Sequence, residues 1–224
     1  MKINEFFQKG YYINLDRRAD RRTLFEKEVK DAGLQGFFER VPGIDAKAIV
    51  KDTTTEEGMR MVHNYCGETF ANIFKKAEKE GYERFLILED DAQFYNANSL
   101  KNIENALDQL QNFPDWDTIY LGCYVFDNPV QQVSENLLKC EHILANHATG
   151  FNRKGLKMFL QYDPHFHCPV DTWLGERGEL NKYVVYPLSV IQRQSPSDLD
   201  INGFAPTTDH WETNFIKSPI VKKF

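Results

Sequence analysis

Three consecutive acids, Glu89-Asp90-Asp91, follow directly on the apolar run Phe85-Leu86-Ile87-Leu88. Adjacent carboxylates repel one another unless a cation lies among them, and hard ions such as Mg²⁺ or Mn²⁺ take oxygen ligands. Such an ion lets a phosphorylated substrate bind beside carboxylates. The competing reading is a solvated strand end or a helix N-cap, and spacing alone leaves the two open. A second group is basic: Arg17, Arg18, Arg21 and Arg22 follow the stretch Gly10 to Leu15. Guanidinium forks bind phosphate bidentately, and a helix N-terminus beside them adds to that preference. Arginine in a first helical turn opposes the helix dipole. That cost strengthens a ligand role for one or two of the four, though not all together, with a solvated helix start as the competing reading.

These groups can act together only if the chain delivers them to one place. The run at 85–88 has no helical period and reads as a strand buried on both faces, with the acids at its carboxyl end. Gly10 to Leu15 reads as a first strand, followed by a helix with Asp20 as N-cap, Leu24, Phe25, Val29 and Ala32 on one face and Gly33 as its stop. In open α/β sheets, ligands bind outside the carboxyl ends of the strands, so acids and arginines meet at one rim if the two strands are parallel. Residues 37–41 read as a second strand ended by Pro42-Gly43. Residues 44–64 read as a mobile surface loop, and 66–80 as a helix with Phe70, Ile73, Phe74 and Ala77 inward. Ser99 opens a third helix, 117–122 is a strand, 127–140 is irregular and 148–151 is a short strand. Helices near 153–161 and 170–179 and strands at 183–187 and 189–192 follow. The alternation predicts a mostly parallel, three-layer α/β sheet.

The length of 224 residues suits a single domain, with a polar tail from about 195 wrapping its surface. A net charge of −6 argues against a nucleic-acid binder, which needs a basic face. No apolar run is long enough to span a membrane, and the first ten residues are too short and polar for a signal peptide. Four scattered cysteines without a Cys-x-x-Cys pair fit buried thiols in a reducing cytoplasm. The cluster His165-Phe166-His167-Cys168, with Cys140 and His142 upstream, matches no zinc spacing and reads as a surface or acceptor-facing loop.

Ile13-Asn14-Leu15-Asp16-Arg17-Arg18-Ala19-Asp20-Arg21 resembles the opening signature of glycosyltransferase family 25, the lipopolysaccharide-modifying and collagen-hydroxylysine galactosyltransferases. Arg40-Val41-Pro42-Gly43-Ile44-Asp45 is similar to that family's Arg-x-Pro-Ala-x-Asp-Gly segment, and Leu86 to Ala92 to its acidic motif. His147 to Phe151 with Gly155, then Pro169-Val170-Asp171, and Val185-Tyr186-Pro187 with Gln192 complete an ordered set over residues 11 to 200. Thr69-Phe70 departs from the family's Ser-His on the helix before the acidic strand, which opens the alternative of a silent domain that binds nucleotide-sugars or glycans.

The resemblance implies a GT-A-like, Rossmann-type fold. It implies a UDP-sugar donor, Mn²⁺ (or Mg²⁺), a saccharide or hydroxylated acceptor, and transfer of galactose or glucose with inversion, with peripheral membrane contact left open. On it, Asp91, Glu89 and His147 are the expected metal ligands. Asn14, Arg17, Arg21, Glu89 and Asp90 are the expected donor contacts, and Asp171 is the expected general base.

Overall fold

The computed structural model describes residues 1–166, 168–196, 198 and 206–224. In chain order its elements are α1 (Ile3–Phe6), β1 (Lys9–Asn14), α2 (Ala19–Asp31), β2 (Phe38–Pro42), α3 (Ala46–Ile49), α4 (Glu56–Glu80), β3 (Arg84–Glu89), β4 (Ala92–Phe94), α5 (Ser99–Leu110) and β5 (Thr118–Val125). Then come β6 (Val130–Ser134), β7 (Leu137–Cys140), β8 (Ile143–Asn152), α6 (Arg153–Phe159), α7 (Val170–Gly175), β9 (Lys182–Val185), β10 (Val190–Gln192), α8 (Thr208–Asn214) and β11 (Ile220–Lys222).

Nine strands form one sheet in the order β11-β6-β7-β9-β5-β8-β3-β1-β2, and β10 pairs with β4 in a small second sheet. All but β7 and β8 of the nine run in one direction, so the sheet is mostly parallel, as expected. Alternation along β3 makes the three layers visible. Phe85 and Ile87 join Tyr11 under α4, α6 and α7, whereas Leu86 and Leu88 join Tyr12 under α1, α2 and α5. Phe74 anchors the first of these cores, stacked 3.7 Å from Phe159 and edge-on to Phe85 and Phe151. A buried aromatic of this kind contributes about 2–3 kcal/mol by area.

Several boundaries differ from expectation, each for a local reason. The helix expected over 66–80 starts ten residues earlier, and together with α3 it takes up most of the mobile loop expected at 44–64. Thr55 caps it by accepting from Gly58 N at 3.1 Å, and Glu56 and Glu57 in its first turn suit the dipole. Gly81 ends it at φ 72°, the left-handed conformation that favours glycine. Asp20 lies inside the first turn of α2 rather than capping it, and Leu24 faces solvent while Phe25 fills the core. Ser99 is likewise the first residue of α5, its cap being Asn98. The segment 127–140 is a hairpin, not irregular. β8 is a ten-residue antiparallel strand wedged between β3 and β5. Beyond 205 the chain forms α8 and the edge strand β11; part of the expected tail lies outside the described residues. Among the described residues all four cysteines are free thiols, and no helix is long and apolar enough to cross a membrane.

Candidate functional site

β1 lies between β2 and β3, parallel to both, with Ile13 level with Glu89 and Asn14 level with Pro42. That register brings the ends of three strands to one rim. The acids after β3 therefore face the loop after β1 that carries the arginines. A cavity of about 130 Å³ opens there, walled on its other side by Val62, Cys66 and Thr69 of α4.

The first two groups singled out in the sequence meet in this cavity. Arg21, 6% exposed, reaches Asp90 Oδ1 at 3.1 Å and Asp91 Oδ2 at 3.2 Å from a single Nη1. Buried Asn14 donates to Asp90 Oδ2 at 2.6 Å and accepts from Arg40 Nε at 2.9 Å. Arg17 divides its guanidinium between Asp45 (2.7 Å) and Asp198 (2.8 Å), and Arg18 divides its own between Asp20 and Asp198. Arg22 lies by Tyr12, whose hydroxyl its charge reaches.

Burial pushes the Glu89 carboxyl well above the usual carboxylate range, and the charges of Asp91, Asp90 and Asp171 add to the push. Burial also drives Asp91 up to about 6, against the pull of Arg21. Asp90 moves the same way, held back by its bond from Asn14 and by Arg21. Arg21, with Arg18 further off, thus leaves the three adjacent acids under-compensated. Cys66 is held as a thiol by burial and by Glu89 and Asp171.

Asp171, in the first turn of α7, lies close enough for its charge to act on Glu89 and Cys66, because α7 packs on both α4 and β8. Asp171 is thus within electrostatic reach of the acids but does not line the cavity. His147 does not join them. It is fully buried on β8, its Nε2 is 3.4 Å from Val190 O, and its ring meets Trp211 edge-on at 4.8 Å. Burial lowers its pKa to about 4, so it is neutral, and its ring faces Val190 and Trp211 rather than the cavity, whose lining does not include it. The expectation that His147 binds metal is corrected on this ground. Thr69 and Phe70, the departures from Ser-His, serve structure here. Thr69 Oγ1 accepts from Ile44 N and donates to Tyr65 O, and Phe70 is in the core.

Among the described residues no three or more His, Cys, Asp or Glu side chains form a group able to hold a metal by themselves. His142 is bonded to Asp127 and Cys140 is buried in the sheet; His167 lies outside the described residues. Asp91 Oδ1, however, is buried without a hydrogen-bond partner among the described residues. Mg²⁺-like ions bind through one or two carboxylates plus substrate phosphates. The residue set fits an ion that arrives with a phosphorylated ligand, and does not fit a closed protein-only metal site.

Sequence reasoning missed Asp45, Ser195 and Asp198 as partners of the arginines. Asp45 stands in a stretch already matched to a motif and could have been found there; Ser195 and Asp198 carry no local signal.

The chain is 28% identical over 130 residues to a protein of Drosophila pseudoobscura pseudoobscura named glycosyltransferase 25 family member, a match covering 50% of this chain and 20% of that one. It is 26% identical over 137 residues to procollagen galactosyltransferase 1 of Danio rerio, covering 52% and 21%. The matches thus take in about a fifth of each relative's length. They agree with the resemblance to glycosyltransferase family 25. No family model matches the chain. Among solved structures, UDP-glucose pyrophosphorylase complexed with UDP-glucose aligns with TM-score 0.50 at 8% identity, over 92% of this chain and 98% of that one. A197 from STIV aligns with TM-score 0.50 at 11% identity, over 90% and 91%. At such identities the likeness is one of fold, and the fold is GT-A-like.

Proposed function

We propose that this chain is the catalytic domain of a glycosyltransferase. It moves a hexose, galactose or glucose, from a UDP-sugar to a hydroxyl of a saccharide or hydroxylated acceptor, with inversion and with Mn²⁺ or Mg²⁺. The observation that carries the reading is the rim cavity itself: Glu89, Asp90 and Asp91 lie under-compensated on one side, Arg17 and Arg21 on the other with Arg18 joined to them through Asp198, and Asp91 Oδ1 has no partner among the described residues. The relatives' names and the GT-A-like fold support the class; the acids and Asp91 Oδ1 support the ion, and donor and inversion rest on the resemblance to glycosyltransferase family 25.

In this account Arg17 and Arg18 hold phosphate oxygens by charge-assisted hydrogen bonds, and Asn14 and Arg21 fix the orientation of Asp90. Asp91, with Glu89 beside it, would hold the ion, whose chemistry is to neutralise charge on the departing diphosphate. Asp171 takes the proton from the acceptor hydroxyl as that oxygen bonds to the anomeric carbon. The bond from that carbon to the UDP oxygen breaks on the opposite face, and its electrons leave with UDP.

A second reading, a silent domain that binds the nucleotide-sugar without transfer, is favoured by one observation. The positions where the resemblance leads one to expect Ser-His are spent on a helix-to-loop hydrogen bond and a core aromatic. Turnover separates the two. The enzyme reading requires UDP release from UDP-galactose or UDP-glucose with Mn²⁺, lost in Asp91→Ala. Binding without release across a panel of UDP-sugars and acceptors overturns it in favour of the silent domain.

A further inference from the structure

The arginines proposed to hold phosphate already hold a carboxylate of the same chain. After β10 the backbone returns across the rim, where Arg193 N donates to Asp91 O at 2.6 Å. Ser195 Oγ accepts from Arg18 Nη2 at 3.0 Å and from Arg21 Nε at 3.1 Å, and Pro196 O accepts from Arg21 Nη2 at 2.8 Å. Asp198 places Oδ1 2.8 Å from Arg17 Nη2 and Oδ2 2.5 Å from Arg18 Nη1, with Arg21 Nη1 3.9 Å away. One carboxylate bridged by two guanidiniums, with a third nearby, occupies the positions that phosphate oxygens would take.

Space argues the same way. Asp198 lines the cavity, and about 130 Å³ remains beside it. Pockets for drug-sized ligands run to roughly 300–1,000 Å³, so a whole nucleotide-sugar needs more room than remains while Asp198 holds Arg17 and Arg18. The carboxylate is a true competitor because it is ionised: burial would raise its pKa, but Arg17 and Arg18 outweigh burial and hold it below the usual range. Asp20, also bound to Arg18, is largely exposed and does not line the cavity, which makes it a natural control.

We propose that Asp198 is an internal ligand of the phosphate subsite, and that an incoming diphosphate binds by displacing its carboxylate from Arg17 and Arg18. The proposal rests on the reading of the cavity as a nucleotide-sugar site and names how that site is regulated. Affinity for the diphosphate is lowered by the stability of the Asp198 contacts, since a ligand must draw on the fraction of molecules in which the subsite is open.

The test is calorimetric titration of the full 224-residue chain with inorganic pyrophosphate and with UDP. Wild type, Asp198→Asn and Asp20→Asn are compared. Asp198→Asn should bind pyrophosphate about tenfold more tightly than wild type, within the 5–150-fold range of ordinary coupling energies. Asp20→Asn should stay within about twofold of wild type, because its pair with Arg18 is solvent-exposed and outside the cavity. Equal or weaker binding of pyrophosphate by Asp198→Asn, or no binding at all, overturns the proposal. Hydrogen exchange on wild type supplies a reading that depends on no variant's folding. Pyrophosphate should speed exchange at the amides of Ser195 and Asp198, and slower or unchanged exchange also overturns the proposal. If Asp198→Asn gains affinity for pyrophosphate but binds UDP no better than pyrophosphate, the internal ligand stands and the nucleotide reading fails.

Discussion

Replacing Arg21 with methionine removes the one cation among the described residues that touches both Asp90 and Asp91. The side chain is 7% exposed and its partners 8% and 11%, so solvent does little to replace it. Methionine keeps most of the apolar stem while deleting the contacts to Asp90, Asp91, Ser195 and Pro196. Breaking a buried pair by removing one partner costs about 3–5 kcal/mol, because the other partner is left charged and uncompensated. At 2–4 °C per kcal/mol for a chain of this size, the melting temperature should fall by about 6–20 °C. The loss should depend on pH in a definite sense. Burial already lifts Asp91 to about 6 with Arg21 opposing, so without Arg21 its pKa rises further. An acid whose folded pKa exceeds its unfolded value binds more protons when folded, so it destabilises at high pH and ceases to do so as pH falls below about 4. The gap between wild type and variant should therefore be widest at pH 8 and narrow clearly by pH 5. Urea unfolding at both pH values measures it. A loss under about 1 kcal/mol at pH 8, the size of an exposed ion pair, would refute the reasoning, as would a gap equal at both pH values.

Further consequences concern the core behind the site and the chemistry in front of it. His147 titrates near 4 when folded and near 6.5 when unfolded, so wild type should lose about 3 kcal/mol as pH falls through that window. His147→Asn should lack that acid-side slope, and an unchanged slope in thermal melts counts against a buried neutral imidazole. At Gly122 an added Cβ would stand 2.0 Å from Val190 O and 2.6 Å from His147 Nε2, so Gly122→Ala must shift β10. Its expected cost is at least about 3 kcal/mol, the upper end of overpacking, and chemical denaturation within 1 kcal/mol of wild type contradicts it. Asp171→Asn should lower sugar transfer about 10²–10⁴-fold, as for loss of a general base, with UDP affinity within twofold of wild type. Transfer at the wild-type rate would exclude Asp171 as the base.

What could be read in the chain follows from how local each signal is. β1 and β3 were visible as apolar runs, and their parallel register is enough to place Arg21 against Asp90 and Asp91 although 69 residues separate Arg21 from Asp90. The early start of α4 was also legible in Thr55-Glu56-Glu57, but the polar composition around it masked the cap. The wedge strand β8 was harder, because its partners β3 and β5 lie far off in the chain, and the hairpin at 130–140 turns on Glu135-Asn136 without a glycine. His147 was misplaced because β8 turns its ring toward Val190 and Trp211, a choice of face that a motif match does not reveal. Asp198 was invisible for a related reason. Its role depends on where the chain after β10 lies against α2, and nothing in Ser195-Pro196 announces it.

The most direct test is thermal stabilisation by UDP-galactose or UDP-glucose with and without Mn²⁺, in wild type and Asp91→Ala. At ligand near 100 times its dissociation constant, about 2.7 kcal/mol of stabilisation is expected from mass action. That corresponds to a rise of about 5–11 °C for a chain of this size. The rise should need both UDP-sugar and Mn²⁺ and should vanish in Asp91→Ala. A rise that survives chelation of the metal or loss of Asp91, or no rise with either donor, would contradict a metal-assisted diphosphate site at this rim.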